Sequence, residues 1–373
     1  MKKIGIVIGT RPEAIKLLPL YFALKENSGF TPVIISTGQH REMLMQVLNF
    51  YAITPDYSFE VMEENQSLTE LSSRLLIEFN RLLSEEKFDL VVVQGDTTSA
   101  FIGGLSAYYH RIPVAHVEAG LRTGDKYSPF PEEVNRKAIS AFSTLNYAPT
   151  NETAKQLEQE GVLHVETVGN TVIDSLHYCQ KRIVAQEQIY LEKFAAIFKN
   201  GGELIAITAH RRENFGDGLV QICAAIRELS AQHPNLEFAF PVHMNPSVNQ
   251  SVHAELGSIS NVHLLPPLGY DDWVFIMGKS RIILTDSGGI QEEAPALNIP
   301  VLVMRDNTER PEGVQSGCAV IAGTNPKNIV KVFNELINNE ERLNLMRNAE
   351  NPYGDGRTVE RIIQSLENYF RTL

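Results

Sequence analysis

Cysteine is scarce in this chain: Cys179, Cys223 and Cys318 are the only three in 373 residues, widely spaced and odd in number. With no C-x-x-C, a disulfide framework or zinc knuckle is not expected. Buried, reduced thiols in a cytoplasmic protein are the reading. Positive charge is also short, with 33 Lys and Arg against 45 Asp and Glu and a formal net charge of −12. A nucleic-acid surface needs a basic stripe, so that partner is set aside. A few local Arg or Lys residues can still hold a phosphate. No apolar run reaches membrane-spanning length, so no membrane is expected either. The opening MKKIGIVIGTRPEAIK starts like a secretion signal, but its apolar stretch stops at Gly9-Thr10-Arg11-Pro12 and is only strand-length. G-x-G-x-x-G is missing, which counts against NAD at the first turn. H-E-x-x-H is missing too, and His116 with Glu118 is not by itself a metal site. Neither a metal nor any other cofactor is expected.

What is present is ordinary for a globular protein, 43% hydrophobic and 21% charged, and too long for one core. Short apolar runs alternate with amphipathic segments. The first set is Ile4–Ile8, Val33–Ser36, Leu90–Val93 and Val114–Val117; the second is Leu204–Thr208, Phe238–Val242, Ile282–Thr285 and Val301–Met304. Strands apolar on both faces belong to parallel sheets covered by helices. Between them, Leu219–Leu229 and Ile329–Leu336 have helical period. The fold class is α/β, doubly wound. DLVVVQGDTTSAFIGGLSAYYHRIPVAHVEAG and RIILTDSGGIQEEAPALNIPVLVMRD share one plan of strand, Asp, helix and I-P-V strand, so two similar domains are expected. The boundary is placed at Gly169-Asn170, after a strand His164–Val168. A final helix, about Thr358 to Phe370, returns to the first domain. The domains are then 1–169 plus 356–373, and 170–355.

Ligands of open α/β sheets bind beyond the carboxyl ends of the strands. Five segments stand there. Gly9 to Glu13 opens a helix whose N–H groups, with Arg11 and Lys16, suit an anion. Thr285 to Glu293 is a strand, a turn of Ser287, Gly288 and Gly289, and a helix. It lets backbone approach a phosphate, with a carboxylate one turn on for ribose hydroxyls. As a plain turn it would have Ser287 as N-cap. Asp96, Glu118 and Glu132 follow strands or open helices, and together they could supply acid and base groups. Asp96 could instead be an N-cap, and Glu132 could merely complement a helix dipole. Thr208 to Asn214, with His210 and two arginines, suits a diphosphate. Arg305 to Glu312 follows another strand. Trp273 and Tyr270 could stack on a base, though such residues are more often core. The residues alone point to a two-domain enzyme for a nucleotide-diphosphate ligand and do not select its reaction.

At these motifs the chain resembles the non-hydrolysing UDP-N-acetylglucosamine 2-epimerases. GTRPEAIKLLPL, GQHREML, QGDTTS, HVEAGLRTGD, PFPEEVNR, TVGNTVIDSL, TAHRRENFG, PVHMNP, TDSGGIQEEAP, RDNTERPEGV and NPYGDGRT match in order from Gly9 to Arg357. The resemblance implies two Rossmann-like domains with parallel sheets in a glycosyltransferase-B fold, an active site in the interdomain cleft, and a homodimer. It implies interconversion of UDP-GlcNAc and UDP-ManNAc through loss of UDP, a 2-acetamidoglucal intermediate and return of UDP. By resemblance Arg11 contacts phosphate, Ser287, Gly288 and Gly289 cradle the diphosphate, and Glu293 binds ribose. His210 and Arg310 sit near phosphate and sugar, and the base lies by Leu268 and Trp273, where Phe is the commoner second residue. Lys16, Asp96, Glu118 and Glu132 match the catalytic group, with Arg136 close by. Thr144 replaces an Asp that many members carry.

A glycosyltransferase of the same fold using a UDP-sugar donor is the main alternative, but it would have no use for the three carboxylates. Some bacterial members bind a second UDP-GlcNAc as activator. Of the residues associated with that pocket, Gln39 and His40 are retained. Glu42 replaces Gln and Asn65 replaces Arg, which should weaken activation. The competing reading is that this segment only begins a helix with an apolar face of Met43, Val47 and Leu48.

Overall fold

The structure is a computed structural model that describes residues 1–39, 41–63, 66–209, 217–242, 245–308 and 310–372. The chain divides into two compact units, Met1–Ser175 with Tyr353–Leu373, and Leu176–Pro352.

The first unit begins with β1 (Lys2–Ile8), α1 (Arg11–Glu26), β2 (Phe30–Ser36), α2 (Arg41–Phe50) and β3 (Tyr57–Ser58). It continues with α3 (Leu68–Glu85), β4 (Leu90–Gln94), α4 (Thr98–Tyr109), β5 (Val114–Val117) and α5 (Glu132–Phe142). β6 (Leu145–Ala148), α6 (Asn151–Gln159), β7 (Val165–Thr167) and α7 (Thr171–Val184) follow, α7 carrying the unit boundary. The second unit holds α8 (Glu187–Lys193), α9 (Ala195–Phe198), β8 (Glu203–Thr208), α10 (Asp217–Gln232), β9 (Leu236–Pro241) and α11 (Pro246–Leu256). Then come β10 (Val262–Leu265), α12 (Tyr270–Gly278), β11 (Ser280–Thr285), α13 (Gly288–Ala296), β12 (Val301–Val303), α14 (Pro311–Gln315) and β13 (Ala319–Ile321). α15 (Pro326–Ile337) and α16 (Glu340–Arg347) precede α17 (Thr358–Arg371), which belongs to the first unit.

Each unit has its own parallel sheet, ordered β3-β2-β1-β4-β5-β6-β7 and β10-β9-β8-β11-β12-β13. Both follow the Rossmann order, which reverses direction beside the first strand and opens a crevice there. The two similar sequence stretches occupy the same place in their sheets, β4-α4-β5 and β11-α13-β12, so the internal echo is a topological one. Strands are buried on both faces: Ile4 to Ile8, Leu90 to Gln94 and Val114 to Val117 are all buried. β3, β6, β10 and β13 went unread in the sequence. They are two to four residues long, and their pairing partners rather than their composition make them strands.

The last helix shows how side chains position a segment. Val359, Ile362 and Leu366 recur at helical spacing and are buried, each contributing about 1.5–3 kcal/mol. α17 packs on α1. Asp174 accepts from the N–H groups of Thr358 and Val359 at 3.3 and 3.0 Å, which satisfies donors the helix start would otherwise leave open. In α2 the buried apolar face is Leu44, Val47 and Leu48; Met43, read as part of that face, is 46% exposed. All three cysteines are buried, and none is joined in a disulfide. Among the described residues, no helix is long and apolar enough to cross a membrane.

Candidate active site

In the first unit the loops after β1 and β4, at the reversal point of the sheet, meet the loop after β5 around a cavity of about 210 Å³. Lys16, Asp96, Glu118 and Arg136 all line it, beside Thr10, Glu13, Gln94 and Thr97. Glu118 follows fully buried β5 with φ +63°, a left-handed conformation that is unfavourable by roughly 1 kcal/mol for a residue with Cβ. Lys16 Nζ donates to both its oxygens, at 2.7 and 2.5 Å, and Gln94 donates to one of them. Strain at a residue held this firmly is a mark of a functional position.

Asp96 stands two residues before α4. The N-cap is Thr97, whose hydroxyl accepts from the Ala100 N–H at 3.0 Å, so the Asp96 carboxylate is not spent on capping. It pairs instead with buried Arg136 at 2.6 Å. Burial lifts the Asp96 carboxyl above its ordinary value. Arg136 and Lys16 oppose the shift, while the charges of Glu118 and Glu132 add to it. Glu132 opens α5 and stands near enough to act on Asp96, although it does not line the cavity. Its Oε2 is shielded from solvent and has no hydrogen-bond partner among the described residues. Buried Glu133 next to it is structural. It takes the N–H groups of Thr123 and Gly124 at 3.0 and 3.3 Å and is held below the usual carboxylate range. Among the described residues, no group of three His, Cys, Asp or Glu is placed to hold a metal ion.

In the turn after β1 the N–H groups of Gly9 and Thr10 both donate to Glu13 Oε2, at 2.9 and 2.6 Å. The hydroxyls of Thr10 and Thr97 donate to the same carboxylate at 2.8 and 2.6 Å. Glu13 is an internal anion in this turn and, through Thr97, ties the β1 and β4 loops together. Burial raises its pKa, against those four hydrogen bonds. Between the ordinary glutamate value and this raised one, the folded protein keeps a proton the unfolded chain has released, so stability falls as pH rises through that window. Glu13→Gln keeps an acceptor without the charge. In urea unfolding, its stability relative to wild type should improve as pH rises above the ordinary glutamate value. A constant difference would show that Glu13 does not titrate there. Glu13→Ala orphans the donors and should be destabilised by about 3 kcal/mol or more.

In the second unit the turn after β11 is the counterpart of the turn after β4. Ser287 is the N-cap of α13, but its side chain makes no capping bond, and its N–H donates to Thr285 Oγ1 at 2.9 Å. Gly288 and Gly289 then start the helix, where N–H groups and the dipole favour an anion. Arg310 pairs through Nε with Glu292, and Thr308 donates to Gln291 Oε1 at 2.6 Å while accepting the Arg310 N–H at 3.0 Å. The segment after β12 is thereby fastened to α13. Glu293 is buried in α13. Leu268 is half-buried ahead of α12, and Trp273 is buried within it, its indole N–H without a partner among the described residues.

A profile described as UDP-N-acetylglucosamine 2-epimerase matches residues 22–367. The UDP-N-acetylglucosamine 2-epimerase of Yersinia pestis is 44% identical over 375 residues, covering 100% of this chain and 100% of that one. The chain belongs to the UDP-N-acetylglucosamine 2-epimerase family. Among solved structures, UDP-GlcNAc 2-epimerase from Neisseria meningitidis bound to UDP-GlcNAc superposes with TM-score 0.88 at 42% identity, over 99% of this chain and 100% of its own. The Methanocaldococcus jannaschii enzyme in complex with UDP-GlcNAc and UDP does so with TM-score 0.76 at 32% identity, over 98% and 99%. The two Rossmann-like units are of the family's glycosyltransferase-B type.

Several family motif positions have a structural explanation here. Thr144 directly precedes β6, and its N–H bonds the Val114 carbonyl at 2.7 Å. That is the amino end of β5, opposite the end carrying Glu118, so Thr144 does not stand with the carboxylates. Gln39 accepts from Ser99 Oγ at 2.6 Å. His210, His40 and Asn65 lie outside the described residues, as does the side chain of Glu42. Arg11 opens α1 and is not among the cavity's lining residues. Gln94 and Asn135 were not singled out in the sequence, Glu13 was read only as part of its turn, and His116 was weighed only as a metal ligand. Each sits inside a quoted motif, within two residues of a named site residue.

Proposed function

We propose that this chain reversibly converts UDP-GlcNAc to UDP-ManNAc at C2. The observation that carries this reading is the convergence of Lys16, Asp96, Glu118 and Arg136 on one cavity, with Glu132 beside them. A C2–H next to a sugar acetal carbon is not acidic, so a base alone cannot remove it. If the C1–O bond breaks first, UDP leaves with the electron pair, C1 gains cationic character and C2–H becomes acidic. Carboxylates stabilise that cation, and one of them takes the proton. The product is 2-acetamidoglucal, with a C1=C2 double bond. Protonation of C2 on the other face and return of the UDP oxygen to C1 give the epimer.

In this reading Ser287, Gly288 and Gly289 hold the diphosphate, with Arg11, His210 and Arg310 as cationic help, which eases UDP departure. Glu293 takes the ribose, and Leu268 and Trp273 flank the base. The active form is a homodimer, which light scattering would check. The three buried thiols suit a reducing cytoplasm.

The test is incubation with UDP-GlcNAc in deuterated water, following C2 by NMR. Deuterium at C2 together with UDP-ManNAc is expected. Release of free sugar and UDP would indicate hydrolysis, transfer to an added acceptor a glycosyltransferase, and binding without turnover a sensor; each would overturn the reading. A second expectation concerns activation. An anionic effector loses a bidentate partner where Asn65 replaces Arg and meets a negative charge at Glu42. Turnover of UDP-ManNAc should therefore gain little from a trace of UDP-GlcNAc. An absolute requirement for the trace would refute this.

A further inference from the structure

His116 is the third residue of β5, fully buried, and two residues from Glu118. Its Nε2 lies 2.7 Å from the carbonyl oxygen of Gly95. A carbonyl only accepts, so that nitrogen carries the proton. Nδ1 is buried and has no hydrogen-bond partner among the described residues. An imidazole kept in an apolar strand with one nitrogen unsatisfied is a poor way to fill space, and its other nitrogen must matter. Burial holds its pKa down to about 4, so the ring is neutral and its single N–H is committed to Gly95.

Gly95 is the residue just before Asp96 and has φ +66°. Its N–H bonds the Val117 carbonyl at 3.0 Å, so β5 grips both of its backbone groups, one by main chain and one by His116. Asn135 Nδ2 then holds the Asp96 carbonyl at 2.9 Å, and Arg136 holds its carboxylate. We propose that His116 is a positioning residue: by holding the Gly95 carbonyl from the strand that ends in Glu118, it sets where the Asp96 carboxylate stands relative to Glu118.

This rests on the proposed epimerisation, and the experiment separates the two. Full-length His116→Phe, His116→Met and His116→Gln are compared with wild type by thermal melting, UDP calorimetry, and kcat and KM for UDP-GlcNAc. Phe and Met fill the space without a donor, whereas the Gln amide can reach the Gly95 carbonyl. The expected result is a kcat about 100-fold lower in Phe and Met. UDP affinity and KM should stay within about twofold, and Gln should recover most of the rate. Near-normal kcat in a folded Phe or Met variant overturns the role. So does a Gln variant as slow as Phe, or a joint fall of kcat and UDP affinity. Failure of both Phe and Met to fold beside a folded Gln variant would assign the bond to folding and also overturn it. Wild-type protein that leaves UDP-GlcNAc unchanged sinks the epimerase reading instead.

Discussion

Glu118→Gln should lose roughly 10³-fold in turnover while binding UDP with nearly unchanged affinity. The carboxylate sits at the end of β5, gripped by Lys16 and Gln94, in the cavity that also holds Asp96. Gln keeps the size and one acceptor, so the geometry should survive. It cannot take a proton or face a developing cation at C1. Loss of this kind falls on kcat and leaves ground-state binding in place, because UDP itself lacks the sugar whose C2–H is removed. Calorimetry with UDP beside steady-state kinetics separates the outcomes. Equal loss of binding and rate would make Glu118 a ligand or structural group, and near-normal kcat would remove it from the chemistry.

The second large effect is expected on binding. Gly288→Val should weaken UDP affinity by about tenfold or more while Glu118 and its neighbours stay intact, since a diphosphate on a helix N-terminus needs close approach to backbone N–H groups. Gly288 is buried, and Ser287 does not cap the first turn of α13. The contrast with the turn after β1 sharpens the expectation. There Glu13 already occupies the N–H groups of Gly9 and Thr10. Unchanged UDP affinity in a folded Gly288→Val protein would place the diphosphate elsewhere.

The sequence by itself determined the class of fold and the neighbourhood of the site. Runs apolar on both faces, such as Ile4–Ile8 and Leu90–Val93, can be stable only inside a parallel sheet covered by helices. Residues directly after such runs must stand at the sheet's carboxyl edge, where Asp96 and Glu118 are found. Tertiary structure decided what those residues do there. TRPE is a capping-box pattern, in which Glu13 turns back onto its own turn, but nothing in QGD tells that Thr97 rather than Asp96 caps α4. β3, β6, β10 and β13 are strands only because a neighbouring strand accepts their hydrogen bonds. The left-handed Glu118, the Lys16 grip on it and the His116 hold on Gly95 join segments up to 102 residues apart. Local propensity acts over a few neighbours and settles which segments become strands and helices, whereas hydrogen bonds and charges act through space, so the pairing of distant side chains exists only once the chain has folded.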